Sequence, residues 1–104
     1  MTYCFDLDGT LCTIEIDYHC AIPFKDRIET VNSLYDAGHV IMIDSARGNT
    51  TGINCHEETK QQLKEWGLKY HILRTGVKFT ADRYIDDKAI ESTTFFHQEN
   101  QKKT

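Results

Sequence analysis

The sequence predicts an α/β domain with three layers and a mainly parallel sheet. Two observations carry this. Short apolar, partly β-branched runs alternate with longer stretches whose apolar residues recur at helical spacing, and each polar cluster falls at the carboxyl end of an apolar run. The third constraint is size: 104 residues fill one domain, expected over residues 1–97 with a polar tail over 98–104.

The first run, Tyr3-Cys4-Phe5, leads as a strand into Asp6-Leu7-Asp8-Gly9-Thr10. From Lys25 to Ala37, Ile28, Val31, Leu34 and Tyr35 fall on one helical face, and Gly38 stands where a helix cap belongs. His39 to Ile43 is too short for a helix and reads as a buried strand. Asn49 to Asn54 is rich in Gly, Thr and Asn and marks a loop. Asn54 is then a candidate helix cap, with Glu57 completing a capping box, and Leu63 and Trp66 carry the helix to Gly67, the Trp as a core anchor. Tyr70 to Leu73 makes a third strand, Arg83-Tyr84-Ile85 a fourth, and Thr93 to Phe96 an edge strand.

Composition narrows the function. The apolar fraction of 39% and the single proline suit a compact globule, and no segment reaches the roughly 20 apolar residues of a membrane span. The N-terminus lacks the basic region of a signal peptide, so a cytoplasmic protein is expected. The net charge is −4, and four acidic residues belong to the candidate site, so the remaining surface is balanced. A basic stripe for nucleic acid is missing, and binding to an extended polyanion is disfavoured. Cys4, Cys12, Cys20 and Cys55 have no CxxC spacing and read as reduced thiols; a zinc site from Cys12, His19 and Cys20 lacks a second ligand pair.

Asp6 and Asp8 are the most informative residues. At the end of an extended strand, positions i and i+2 project to the same side, so both carboxylates can face one small volume. Two carboxylates that close repel unless a cation lies between them, and Mg²⁺ uses one or two carboxylates while keeping positions for water and substrate phosphate. The pattern points to metal-assisted phosphoryl chemistry. Further polar clusters, Ser45-Ala46-Arg47 and Asp86-Asp87, follow other predicted strands. Ligands of parallel sheets bind at that edge.

Asp6-Leu7-Asp8-Gly9-Thr10 matches the DxDGT motif of the haloacid dehalogenase superfamily, which the chain resembles from Tyr3 to about Ala89. Ser45 fits that family's second-motif hydroxyl, Lys78 its third-motif lysine, and Asp86-Asp87 its acidic fourth motif. Ser45-Ala46-Arg47-Gly48 and Tyr84-Ile85-Asp86-Asp87-Lys88-Ala89 are similar to the TARG and YIDDKA segments of small capless members, many of which look like sugar-phosphate phosphatases of surface-polysaccharide pathways. The resemblance implies a Rossmann-like domain without a cap, since neither gap between motifs has room for one.

By this resemblance Asp6 is the nucleophile and forms an aspartyl-phosphate, and Asp8 is the acid-base partner. Mg²⁺ is held by Asp6, the Asp8 carbonyl, and Asp86 or Asp87, with Asp86 favoured for direct coordination. Ser45 and Ala46 line the phosphate, Lys78 supplies a cation, and Arg47 adds a bidentate phosphate contact. Phe79 stands where the family pattern has proline, and Lys69 is a rival for the third-motif role. Asp44 replaces an ordinarily neutral residue before the motif-two hydroxyl. Cys12 to Ile22, with Ile14, Glu15, Ile16 and Tyr18, is expected to fold over the open site as a hairpin.

The expected function is hydrolysis of a small phosphorylated metabolite, with a homo-oligomer possible because capless members borrow a neighbouring subunit as a lid. Two other readings compete. A phosphatase for nucleic-acid or nucleotide ends also places arginine near motif two, and a catalytically silent module would bind a phosphorylated ligand without turning it over.

Overall fold

The computed structural model describes residues 1–47, 55–76, 82–83 and 88–102. Three parallel strands, β1 (Thr2–Asp6), β2 (Val40–Ser45) and β3 (Ile72–Thr75), stand in the order β1-β2-β3. They are joined through α1 (Lys25–Asp36) and α2 (His56–Glu65), and α3 (Ser92–Lys102) ends the described chain. The alternation of strand and helix expected from the sequence is thus present as a small α/β fold.

Register explains what lies on each side of the sheet. Phe5 pairs with Ile43, and Ile43 with Leu73, so their side chains share one face; Cys4, Met42 and Ile72 form the matching row on the other. Phe5, Ile41 and Ile43 are buried with Ile28 and Val31 of α1, Leu63 of α2, and Phe95 and Phe96 of α3. Cys4, Val40 and Ile72 are exposed on the opposite side. Among the described residues, the helices therefore cover one face of the sheet, and a layer on the second face is not among them.

Helices α1 and α2 end in the same way. Beyond α1, Gly38 N–H donates to Tyr35 O at 3.1 Å and His39 N–H to Leu34 O at 3.1 Å; beyond α2, Gly67 donates to Lys64 O and Leu68 to Leu63 O, both at 3.1 Å. This paired arrangement satisfies carbonyls left over at a helix end. It also turns the chain: Leu68 and Leu63 both enter the core. Asn32 ties the two helix ends together, donating to Gly67 O at 2.9 Å and accepting from Lys69 N–H at 2.8 Å.

Several expectations are corrected here. Thr93 to Phe96 is the start of α3 and not an edge strand. Glu91 accepts from the N–H groups of Thr93 at 3.0 Å and Thr94 at 2.9 Å, which caps a helix, and the adjacent Phe95 and Phe96 both bury rings beside Phe5. The polar stretch 98–102 is part of that helix. Helix α2 starts at His56 after Cys55, which makes no side-chain cap; the expected capping box of Asn54 with Glu57 involves Asn54, outside the described residues. The third strand begins at Ile72, two residues later than expected: the His71 ring, not a backbone carbonyl, takes the Ile41 N–H at 3.1 Å. The strand expected at Arg83 to Ile85 runs into residues outside the described set.

Cys12 to Ile22 is not a regular hairpin. Its base is closed by a bridge between Cys12 and Pro23 and by Thr13 N–H donating to Ile22 O at 2.9 Å. Its tip instead makes a single 3-10 turn, Tyr18–Cys20, capped by the Asp17 carboxylate. Ile14 and Ile16 point outward.

Candidate functional site

The chain leaves β1 through a tight turn. Leu7 O accepts from Thr10 N–H at 3.1 Å and Leu11 N–H at 2.8 Å, and Gly9 N–H donates to Cys12 O at 2.8 Å. Gly9 has φ +86°, a conformation that L side chains seldom adopt, so the glycine of DxDGT is required by the backbone. The turn anchors Leu7 and Leu11 in the core and leaves Asp6 and Asp8 half-buried on either side of Leu7. The same edge of the sheet carries Ser45, Ala46 and Arg47 at the end of β2.

Asp8 and Arg47, 39 residues apart, make the best-defined contact of the site. Arg47 Nε–H donates to Asp8 Oδ2 at 3.0 Å and Nη2 to Oδ1 at 2.8 Å, a two-pronged ion pair. Nη1 donates to Gln62 Oε1 at 2.6 Å and Thr59 Oγ1 at 3.4 Å, both on α2. Nη2 also lies 4.0 Å from Cys12 Sγ, and the Tyr18 ring covers the guanidinium with its centroid 4.7 Å away. Only 3% of the Arg47 side chain is exposed. Burial works to lower its pKa, but the hydrogen bonds to Asp8 and the charge of Asp8 outweigh it and hold the group above its ordinary value.

Ser45 is buried, and its Oγ accepts from Arg47 N–H at 3.1 Å, which fixes the turn after β2. The hydroxyl keeps its proton for another acceptor. Cys12 Sγ donates to Asp8 Oδ1 at 3.4 Å, and burial, followed by the Asp8 charge, pushes this thiol up to about 12. Such a thiol is held in its protonated form at neutral pH. His19 is engaged with Asp17 at 2.8 Å and Glu58 at 3.0 Å. Cys12, His19 and Cys20 therefore do not converge, and no group of three His, Cys, Asp or Glu is placed to hold a metal among the described residues.

The loop that carries Tyr18 is pinned to α2. Tyr18 O accepts from Gln62 Nε2 at 2.8 Å, and the phenol pairs with Cys55 Sγ. That hydrogen bond, with burial, pushes the phenol up to about 12. Asp44 is register partner to Asp6 on β1 and to Arg74 on β3, and its Oδ2 takes a 3.0 Å contact from Arg74 Nη2. The cation on β3 offsets the repulsion expected between neighbouring carboxylates.

Lys78, Asp86 and Asp87 lie outside the described residues. Lys69 pairs with Asp36 at 2.8 Å, beside the C-terminal end of α1 and before β3 begins. It thus sits before β3, at the end of the sheet opposite Asp8 and Ser45. Gln62, Thr59 and Cys12 were not legible as site residues: no motif marks them, and they meet Asp8 and Arg47 only in the fold.

No family model matches the chain, and no curated protein matches it. The fold is similar to that of a crystal structure of an MCSG target from Vibrio cholerae, at 26% sequence identity and a TM-score of 0.81. The alignment covers 99% of this chain and 98% of that one. The likeness therefore extends over the whole domain.

Proposed function

We propose that this protein is a Mg²⁺-dependent phosphomonoesterase of the haloacid dehalogenase type, with a Rossmann-like capless domain. Its substrate is a small phosphorylated metabolite, with sugar phosphates the first class to test. The observation that carries the reading is the placement of Asp6 and Asp8 around the Gly9 turn at the carboxyl end of β1, on the sheet edge that also carries Ser45. That is where ligands of parallel sheets bind.

The donors present suit a hard cation. The Asp6 carboxylate and the Asp8 backbone carbonyl offer oxygens, and Asp86 or Asp87 would complete the set. Bound there, Mg²⁺ would offset the negative charge of the phosphoryl group. Asp6 Oδ attacks phosphorus as the bond to the leaving oxygen breaks, and Asp8 gives that oxygen its proton. Water then attacks the phosphorus of the aspartyl-phosphate, Asp8 takes up its proton, and inorganic phosphate leaves with Asp6 restored. The Ser45 hydroxyl and Lys78 donate to the phosphoryl oxygens, where charge spreads in the transition state. The site works without a covering domain, so solvent reaches the intermediate and favours hydrolysis over transfer. Cys4, Cys12, Cys20 and Cys55 form no disulfide with one another, in keeping with a reducing, cytoplasmic setting.

The test is steady-state hydrolysis of a panel of phosphomonoesters with Mg²⁺. Activity on at least one ester is expected, abolished by EDTA and reduced about 10³-fold or more in Asp6→Asn. A fully active Asp6→Asn would remove the nucleophile assigned here. One observation favours a second reading, a silent phospholigand-binding module: both Asp8 oxygens are taken up by Arg47. That reading predicts phosphate binding with no turnover on any ester.

A further inference from the structure

We propose that Arg47 positions Asp8 and does not bind the substrate phosphate, and that Gln62, Thr59 and Tyr18 hold Arg47 in place; this rests on the phosphatase reading above. A guanidinium has five N–H donors in a rigid plane. Here Nε–H and one Nη2 donor face the two Asp8 oxygens, the Nη1 pair faces Gln62 Oε1 and Thr59 Oγ1, and the remaining Nη2 donor faces Cys12 Sγ. The in-plane edge is thus filled by protein atoms, and Tyr18 covers a face.

Turning this group toward a phosphate would break its pair with Asp8 while it remains buried. A phosphate would replace the carboxylate as counter-ion, but the turn would also give up the Gln62, Thr59 and Cys12 contacts and the Tyr18 ring, so the pair with Asp8 is the stable arrangement. The consequence falls on Asp8. Arg47 and the Cys12 thiol both donate to Oδ1, but among the described residues Arg47 alone donates to Oδ2, so the free Oδ2 lone pair is where Asp8 carries the proton it gives the leaving oxygen and later takes from water. Fixing that lone pair matters because small displacements of a reacting group cost large factors in rate. The clamp draws on three separate parts of the chain: the turn after β1, the loop from Cys12 to Pro23, and α2. Tyr18 joins the last two, since its ring lies on Arg47 and its carbonyl accepts from Gln62. Phosphate recognition is left to Ser45, the backbone near Ala46, and Lys78.

The two roles for Arg47 separate kinetically. A phosphate ligand contributes to KM and to inhibition by inorganic phosphate, whereas a group that orients Asp8 contributes to kcat. Arg47→Lys keeps the charge but loses the planar fork. The expected result is a fall in kcat of about tenfold or more, with KM and the phosphate inhibition constant within about twofold of wild type. Gln62→Leu is expected to lower kcat by a few-fold, and in the Arg47→Lys background to add little, because both act through one group. Tyr18→Leu lowers kcat in the same way, and Tyr18→Phe, which keeps the ring, restores it.

Should Arg47→Lys fold poorly, the Gln62 and Tyr18 variants carry the test alone. The proposal is overturned if Arg47→Lys keeps kcat and weakens inorganic phosphate about tenfold, or if Gln62→Leu and Tyr18→Leu turn over as wild type does. A wild type that binds inorganic phosphate but hydrolyses no ester would defeat the phosphatase reading. Phosphate affinity in Arg47→Lys would then still decide whether Arg47 is a ligand: unchanged affinity supports the proposal and weakened affinity overturns it.

Discussion

Replacing Gly9 with alanine isolates what the turn after β1 contributes. The residue has φ +86°, and a Cβ there would lie 3.0 Å from Ile14 Cδ1 and 3.2 Å from Ile14 Cγ1. Ile14 is 75% exposed, so its side chain can swing away at little cost. The main penalty is the backbone conformation, about 1–2 kcal/mol for an L residue in the left-handed region. Alanine also reduces the freedom of the unfolded chain, which returns roughly 0.5 kcal/mol. The net loss is about 1 kcal/mol, equivalent to a fall in Tm of roughly 4–8 °C for a domain of this size. Asparagine tolerates the left-handed region better, so Gly9→Asn should fall by less than Gly9→Ala. Thermal denaturation followed by far-UV circular dichroism reads both. The reasoning is refuted if Gly9→Ala melts with the wild type, or if Asn and Ala are equally destabilising. Because Asp8 adjoins this residue, Gly9→Ala should also lose more than about tenfold in kcat.

Phe95 is buried with its ring 5.6 Å from Phe5 and 5.9 Å from Tyr3. Phe95→Ala should cost about 3 kcal/mol, at the low end for such truncations because the residue is 9% exposed; urea denaturation checks it. The N-terminus of α3 should be acid-sensitive. Hydrogen bonds from the Thr93 and Thr94 backbone hold Glu91 at about 2, below its ordinary 4.5, so its contribution to stability is complete above 4.5 and is lost as pH falls toward 2. Wild type and Glu91→Gln should therefore differ in Tm near neutral pH and converge by about pH 2; a difference that persists there would contradict the cap.

How much was legible in advance depends on whether the signal is local. Helix α1 and its glycine stop followed from Ile28, Val31 and Gly38, because helical spacing and a cap are written within a dozen residues. The parallel strands and the placement of Asp6, Asp8 and Ser45 at one edge followed from short apolar runs ending in polar residues. Thr93-Thr94-Phe95-Phe96 misled because β-branched and aromatic residues favour strands when nothing else decides. Here Glu91 capped the first turn and the two rings found Phe5, so tertiary contact overrode propensity. Arg47 was visible as a functional residue, yet its partners were not. Asp8, Cys12, Tyr18, Thr59 and Gln62 come from segments up to 39 residues away, and no periodicity or spacing encodes that meeting. Asp44 was conspicuous as a charge out of place, and its pairing with Arg74 needed the register of β2 against β3.

The central claim is that Asp6 carries the phosphoryl group. Rapid mixing with an ester hydrolysed in the steady-state panel, an acid quench within a single turnover and mass spectrometry of the N-terminal peptide decide whether it does. A phosphoryl adduct is expected on Asp6, reduced by borohydride to homoserine at that position and absent from Asp6→Asn. Turnover of the ester with no adduct on Asp6, or with the adduct on another residue, would contradict it.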